Sequence, residues 1–158
     1  MKSEWDHKVI EIKRVTRVIA GGKRFKIRAI VISGNRNGLV GVGLGKGDDI
    51  AAAVERGRRT AEKNAVRVPI VNETVPYEVI GKLGAGKIFI KPAAKGKGLR
   101  AGGAARTVLD LVGIKNITAK ILGTTKNPLV NTLATLEALK KLSRYNRHNA
   151  NTSASTQT

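Results

Sequence analysis

Residues 8–47 read KVIEIKRVTRVIAGGKRFKIRAIVISGNRNGLVGVGLGKG, and the punctuation of this stretch decides the fold. Three segments rich in β-branched residues, Lys8 to Ile19, Arg24 to Ser33 and Leu39 to Leu44, are separated by Gly21-Gly22 and by Gly34-Asn35-Arg36-Asn37-Gly38. Both separators carry turn chemistry, because Gly and Asn accept the backbone angles of tight hairpins, so the segments are expected to form an antiparallel meander. At Gly41, Gly43, Gly45 and Gly47 every second position lacks a side chain, which leaves one face of the third strand bare. A bare face invites close approach, by a helix packed from inside or by an RNA backbone, and tight internal packing is the favoured cause.

Working outward, Ile50, Val54, Gly57, Ala61 and Ala65 recur at helical spacing behind Asp48 or Asp49, so a helix capped there is expected over Asp48 to Arg67, stopped by Pro69. Strands follow at Val75 to Ile80 and Lys87 to Pro92. A helix is expected over Ala101 to Val112, closed by Gly113, then a strand over Asn116 to Leu122 and a helix opened by Asn127-Pro128. From Ser143 the chain turns to Asn, Ser and Thr, and its last eight residues carry no charged side chain, which reads as a disordered end. The expected fold class is α+β with two lobes: residues 6–70 as an antiparallel sheet plus one helix, residues 71–142 as a β-α-β-α two-layer unit, and residues 143–158 as a tail.

Thirty Lys and Arg against eleven Asp and Glu give a formal charge of +19 over 158 residues. Residues 1–70 hold 16 basic and 7 acidic side chains and residues 71–158 hold 14 and 4, so the halves carry +9 and +10 and no basic tail explains the excess. Solubility alone is served by a net charge of about 2 to 8, whereas this field implies an anionic partner touching both halves, which nucleic acid can do. With 41% apolar residues the chain can still build a core, although lobes of about 70 residues bury only about 60% of their chain surface and gain from a partner. Cysteine is absent, no apolar run approaches the about 18 residues of a membrane span, and no secretory leader pattern opens the chain, so a cytosolic or organellar protein is expected.

The placement of the cations is more specific than their number. Lys13, Arg14, Arg17, Lys23, Arg24, Lys26 and Arg28 fall on the first two strands and their Gly21-Gly22 turn with no acid among them, a positive finger. On the first helix, 100° spacing puts Arg56, Arg59 and Lys63 on one outward ridge, with Glu55 and Glu62 able to pair with Arg59 and Arg58. Between Glu78 and Asp110, Lys82, Lys87, Lys91, Lys95, Lys97, Arg100 and Arg106 stand without a counter-ion, a phosphate face rather than a solvated one.

Enzymatic readings fail on the residues. Gly81, Gly86 and Lys87 match part of a phosphate-binding loop, but Ile88 stands where a magnesium-holding hydroxyl is required and a strand follows instead of a helix. Gly96, Gly98 and Ala101 match a loose dinucleotide fingerprint with no acid near Thr118 for the ribose; what remains is a flexible basic loop feeding a helix N-terminus at Gly102-Gly103. His7 and His148 have no nucleophile or carboxylate at motif spacing, and no His or Cys cluster suits a metal, so no catalytic residue, metal, cofactor or small-molecule substrate is expected. No helix-turn-helix or zinc finger can be placed, and aromatics are only 3% of the chain, which favours RNA duplex read by shape over stacked single strands. Beside a structural RNA-binding role, a free-standing double-stranded-RNA chaperone or assembly factor and, after it, a nucleotide-binding enzyme stand as alternatives.

The run from Val15 to Lys23 with its Gly-Gly turn, the Asn37 to Gly47 ladder, and Lys91 to Arg106 with its Ala101-Gly102-Gly103-Ala104 core resemble the family of the bacterial fifth protein of the small ribosomal subunit. The resemblance covers about residues 6 to 142 and departs from the family at a short N-terminus, at Asp48-Asp49 and at the neutral tail. It implies a double-stranded-RNA-binding-like first lobe, rRNA binding by both lobes, a contribution to translational accuracy, and a position near the path by which messenger RNA enters. It further implies that the hairpin around Arg17 to Lys23, including Gly21 and Gly22, reaches toward the neck near the spectinomycin site. The same resemblance makes Gly98, Gly102, Gly103 and Arg106 an interface to the neighbouring fourth small-subunit protein, and names the eighth as a further neighbour.

Overall fold

A computed structural model describes residues 4–154, with side chains through Arg144. The meander forms as β1 (Asp6–Ile19), β2 (Gly22–Gly34) and β3 (Leu39–Gly47), followed by α1 (Ile50–Lys63) and a short β4 (Val66–Arg67). Their sheet order is β1-β2-β3-β4, all antiparallel. The helix ends four residues earlier than the apolar spacing suggests, because Asn64 caps it and Val66 and Arg67 then pair with Val40 and Leu39. Asp49, not Asp48, is the N-cap, its carboxylate accepting from the Ala52 N–H at 2.8 Å.

The glycine ladder is where α1 sits. A Cβ at Gly41, Gly43 or Gly45 would collide with the carbonyl oxygens of Ala61, Gly57 and Ala53, so helix and strand touch backbone to backbone. Internal packing therefore accounts for the bare face, and no RNA backbone can share it. Only small side chains fit this layer, and Ala29, Val31 and Ala53 form its compact core with Ile27 and Val54 at the border.

The second sheet contains β5 (Val79–Leu83), β6 (Gly86–Pro92), β7 (Leu99–Arg100) and β8 (Ile117–Ile121) in the order β5-β6-β8-β7, with α2 (Gly103–Val112) and α3 (Pro128–Ala154). The strand expected from Val75 begins at Val79, since Val71 to Thr74 turn back on themselves through positive φ at Asn72 and Glu73. The helix expected from Ala101 begins at Gly103, because Leu99 and Arg100 are drawn into parallel pairing with Ile117 and Thr118. Gly113 closes it in the left-handed region at φ 91°, as its position suggests. The backbone of α3 stays helical past Ser143 to Ala154, where an irregular end was expected; no Gly or Pro stands between Leu129 and Ala154 to stop it, and residues 155–158 lie outside the described residues.

One core joins the two sheets. Ile32, Val40 and Val42 of the first sheet and Val68 just after β4 share one buried cluster with Leu111 and Val112 of α2, with Ile88, Ile90 and Ile117 of the second sheet and with Ala138, Leu139 and Leu142 of α3. The first sheet is thus covered on one face by α1 and on the other by α2. Backbone bonds stitch the seam: Arg36 N–H donates to the Leu111 carbonyl at 3.0 Å and Gly38 N–H to the Val112 carbonyl at 2.9 Å. Each lobe is the partner that the other needs to bury its surface.

Candidate nucleic-acid interface

The hairpin outruns the rest of its sheet. Pairing with β3 ends at Ile27 opposite Gly47, while β1 and β2 continue as a two-stranded ribbon from Val15 opposite Lys26 to Ile19 opposite Gly22. Side chains on a strand alternate between faces, so the register sorts the finger's cations. One face carries Lys13, Arg17, Arg24, Lys26 and Arg28, and Lys46 of β3 lies directly opposite Arg28. The other carries Arg14, Lys23 and Phe25.

On the first face Arg17 and Arg24 are direct cross-strand partners, as are Lys13 and Arg28. Like charges so placed destabilise a sheet. Glu11 relieves the second pair, holding Lys13 at 2.9 Å and Arg28 at 3.7 Å. These two cations are therefore internally paired, which the gap of acids between residues 13 and 28 concealed because Glu11 arrives by strand register. Arg17 and Arg24 have no such relief among the described residues. With Val15, Thr16, Lys26 and Lys46 they line an open groove of about 360 Å³, beside which the exposed Asp48 approaches Lys26 at 3.9 Å.

Lys46 also lines a second shallow groove with Arg56, Arg59 and Thr60 of α1. The expected ridge is present, since Arg56, Arg59 and Lys63 are all exposed. Glu55 takes both Arg58, at 3.1 Å, and Arg59, at 3.0 Å, and Glu62 takes Arg58 at 3.6 Å. The Arg58 hydrogen bond, followed by that of Arg59, holds the Glu55 carboxyl below the usual carboxylate range. Arg56 instead donates to the Lys46 carbonyl at 2.9 Å, and this ties the ridge to the strand.

The outer face of the second sheet is the other basic surface. Lys82 lies directly opposite Lys87, Phe89 opposite Lys120 and Ile80, and Lys91 opposite Thr118, with Arg100 next in register. Their partners in alternation, Ile88, Ile90, Ile117 and Ala119, are buried. Lys87, Lys91 and Arg100 are thus brought together as expected, joined by Lys82 and Lys120. Lys46 and Lys120 do not stand out in the sequence because each is a lone cation in its segment, and only strand register shows the basic residues beside them.

Lys95, Lys97 and Gly98 occupy a loop that is tethered rather than flexible. The buried Asn116 side chain accepts from the N–H groups of Gly96 and Gly98, both at 3.1 Å, and the Asn116 amide donates to Glu73 at 3.5 Å. Glu73 also holds Lys115 at 2.6 Å, and this hydrogen bond, with the more distant Lys95 charge, lowers its pKa. Gly102 caps α2 with no side-chain bond and no acid stands in the first turn; Gly102 and Gly103 are exposed, as is Arg106 on the same turn. The nearest acid on that helix, Asp110, is occupied by Lys8 at 2.7 Å and by Arg36 at 3.9 Å.

Comparison with known proteins accounts for both halves. Residues 5–69 match the family model described as ribosomal protein S5, N-terminal domain, and residues 81–152 match that of the C-terminal domain. The chain belongs to the ribosomal protein S5 family. Among its relatives, small ribosomal subunit protein uS5 of Synechococcus elongatus is 49% identical over 142 residues, covering 89% of this chain and 78% of the relative. The Thermotoga maritima uS5 is 47% identical over 139 residues, covering 88% and 78%, and uS5c of Guillardia theta is 46% identical over 145 residues, covering 91% and 85%. S5-family proteins are structural components of the small ribosomal subunit and not enzymes. Among the described residues no group of His, Cys, Asp and Glu is placed to hold a metal, and no helix is long and apolar enough to cross a membrane.

Proposed function

We propose that this S5-family chain is held in the small subunit by rRNA phosphates on two surfaces: the Arg17/Arg24/Lys26/Lys46 groove with the α1 ridge, and the Lys82/Lys87/Lys91/Lys120/Arg100 face. The observation that carries the reading is the direct opposition of Arg17 and Arg24 on a ribbon with no acid of its own. Such a pair costs stability in the free protein and becomes favourable once an anion lies across it. Residues 6–70 and 71–142 act as the two RNA-binding lobes. The Gly21-Gly22 tip reaches the neck of the subunit, where it affects decoding accuracy and the path by which messenger RNA enters. The exposed α2 N-terminus, with Gly98, Gly102, Gly103 and Arg106, meets the neighbouring fourth and eighth small-subunit proteins. Sedimentation tests the placement: a permanent component stays with small subunits through a high-salt wash, and a chaperone or assembly factor is washed off.

A further inference from the structure

The chain has two phenylalanines, and neither lies in a buried core cluster. Phe25 is 46% exposed on the ribbon, beyond the last residue of β2 that packs under α1. Its neighbour Val18 is 73% exposed on the same face. Apolar side chains held out on a two-stranded ribbon gain nothing from the fold, and a bare ribbon is itself marginal in water. The Arg14 guanidinium lies over the Phe25 ring, 3.7 Å from its centroid, and no acid takes Arg14 among the described residues. A flat ring with a flat cation stacked on it is the surface on which unpaired nucleobases settle. Lys23, on the same face one position beyond Phe25 in the alternation, stands ready for the phosphate of the same nucleotide.

We propose that Arg14 and Phe25 form a stacking platform for one unpaired RNA base, opposite the phosphate-binding face of the same ribbon. The proposal rests on the rRNA-binding reading and adds to it a contact with a base rather than with the backbone. Charge decides the occupant. A second copy of this chain would bring another acid-free ribbon and be repelled, whereas a nucleotide offers an anion for Lys23 and a π face for Phe25 and Arg14 together. The scarcity of aromatics argues against single-strand recognition along the whole chain, yet one exposed ring in a basic ribbon suffices for one base.

The test moves the chain's sole tryptophan onto the platform. Full-length protein carrying Trp5→Phe and Phe25→Trp is titrated with protein-free small-subunit rRNA, with binding followed in parallel by filter retention. The expected result is strong quenching of Trp emission that saturates with the binding curve. Phe25→Leu should weaken binding by about 5- to 100-fold with the salt slope unchanged, since a stacked base releases no counterions, and Phe25→Tyr should restore it. Unquenched emission with intact binding, quenching that appears only when other ribosomal proteins are added, or a Phe25→Leu chain that binds like the original would each overturn the platform and leave the phosphate surfaces standing. An original chain that fails to bind rRNA at all would overturn both.

Discussion

Lys8 Nζ in β1 lies 2.7 Å from the Asp110 carboxylate in α2, which ties the first strand of one sheet to the helix that covers it. The Lys8 hydrogen bond, with the charges of Lys8 and Arg36, lowers the Asp110 pKa below its ordinary 3.8. A carboxyl with a depressed pKa in the folded state stabilises the fold above its unfolded pKa and loses that contribution as pH falls through the folded value. Asp110→Asn should therefore lower stability at pH 7 by a few tenths to about 1 kcal/mol, the size for a partly exposed pair. The deficit should shrink as pH falls below the ordinary 3.8 and vanish once the lowered folded-state pKa is passed and the carboxyl of the original protein is protonated too. Thermal unfolding of both proteins across pH 2 to 7 measures it, and a deficit that persists at the acid end would assign the effect to packing.

Gly45→Val probes the seat of α1. Because the obstacle is the Ala53 backbone carbonyl and not a movable side chain, the helix has to lift from the strand. The expected cost is about 3 kcal/mol or more, beyond ordinary overpacking, read as a drop in midpoint on denaturant unfolding. A near-neutral Gly45→Val would show that α1 tolerates displacement.

The hairpin tip separates two glycines that the sequence treats alike. Gly22 adopts φ 139°, which side chains resist, while Gly21 has open space and no positive φ. Gly22→Val should distort the ribbon and change spectinomycin response in cells while the lobe still folds, whereas Gly21→Val should leave backbone and assembly intact. Equal behaviour of the two variants would remove the turn geometry from the explanation.

Much of this architecture is legible in the sequence because it is written locally. The Gly-Gly and Asn-rich turns fix the meander, Asn127-Pro128 opens α3, and the Glu55–Arg59 and Glu62–Arg58 pairs follow from helical spacing. What resisted reading depends on contacts distant in the chain. Glu11 neutralises Arg28 through strand register, Asn116 fixes the Gly96 and Gly98 loop from 18 to 20 residues away, and the shared core forms only when α2 covers β2 and β3. Lys46 and Lys120 are lone cations in their segments, and Phe25, though set between Arg24 and Lys26, shares its face with Arg14 only through strand register, so only the fold reveals what they face.

Arg106 stands exposed in the first turn of α2, where the helix dipole disfavours a cation, and Asp110, one turn further along the helix, is taken by Lys8. Arg106→Leu should leave the melting temperature within about 2 °C of the original, as surface changes do. Subunits carrying it should misread at an altered rate or hold the fourth small-subunit protein less tightly. Unchanged decoding and an unchanged contact would make Arg106 a solvated residue.

Binding of the full chain to protein-free small-subunit rRNA as a function of salt is the most direct measurement of the phosphate surfaces. With roughly 6 to 10 phosphate contacts, affinity should fall by about 10³ to 10⁵ between 50 and 200 mM salt. Arg17→Ala and Arg24→Ala should each reduce the log–log slope by about 1 and weaken binding across RNA sequences. An affinity that stays flat with salt, or a slope untouched by both substitutions, would contradict the assignment of this ribbon to the RNA backbone.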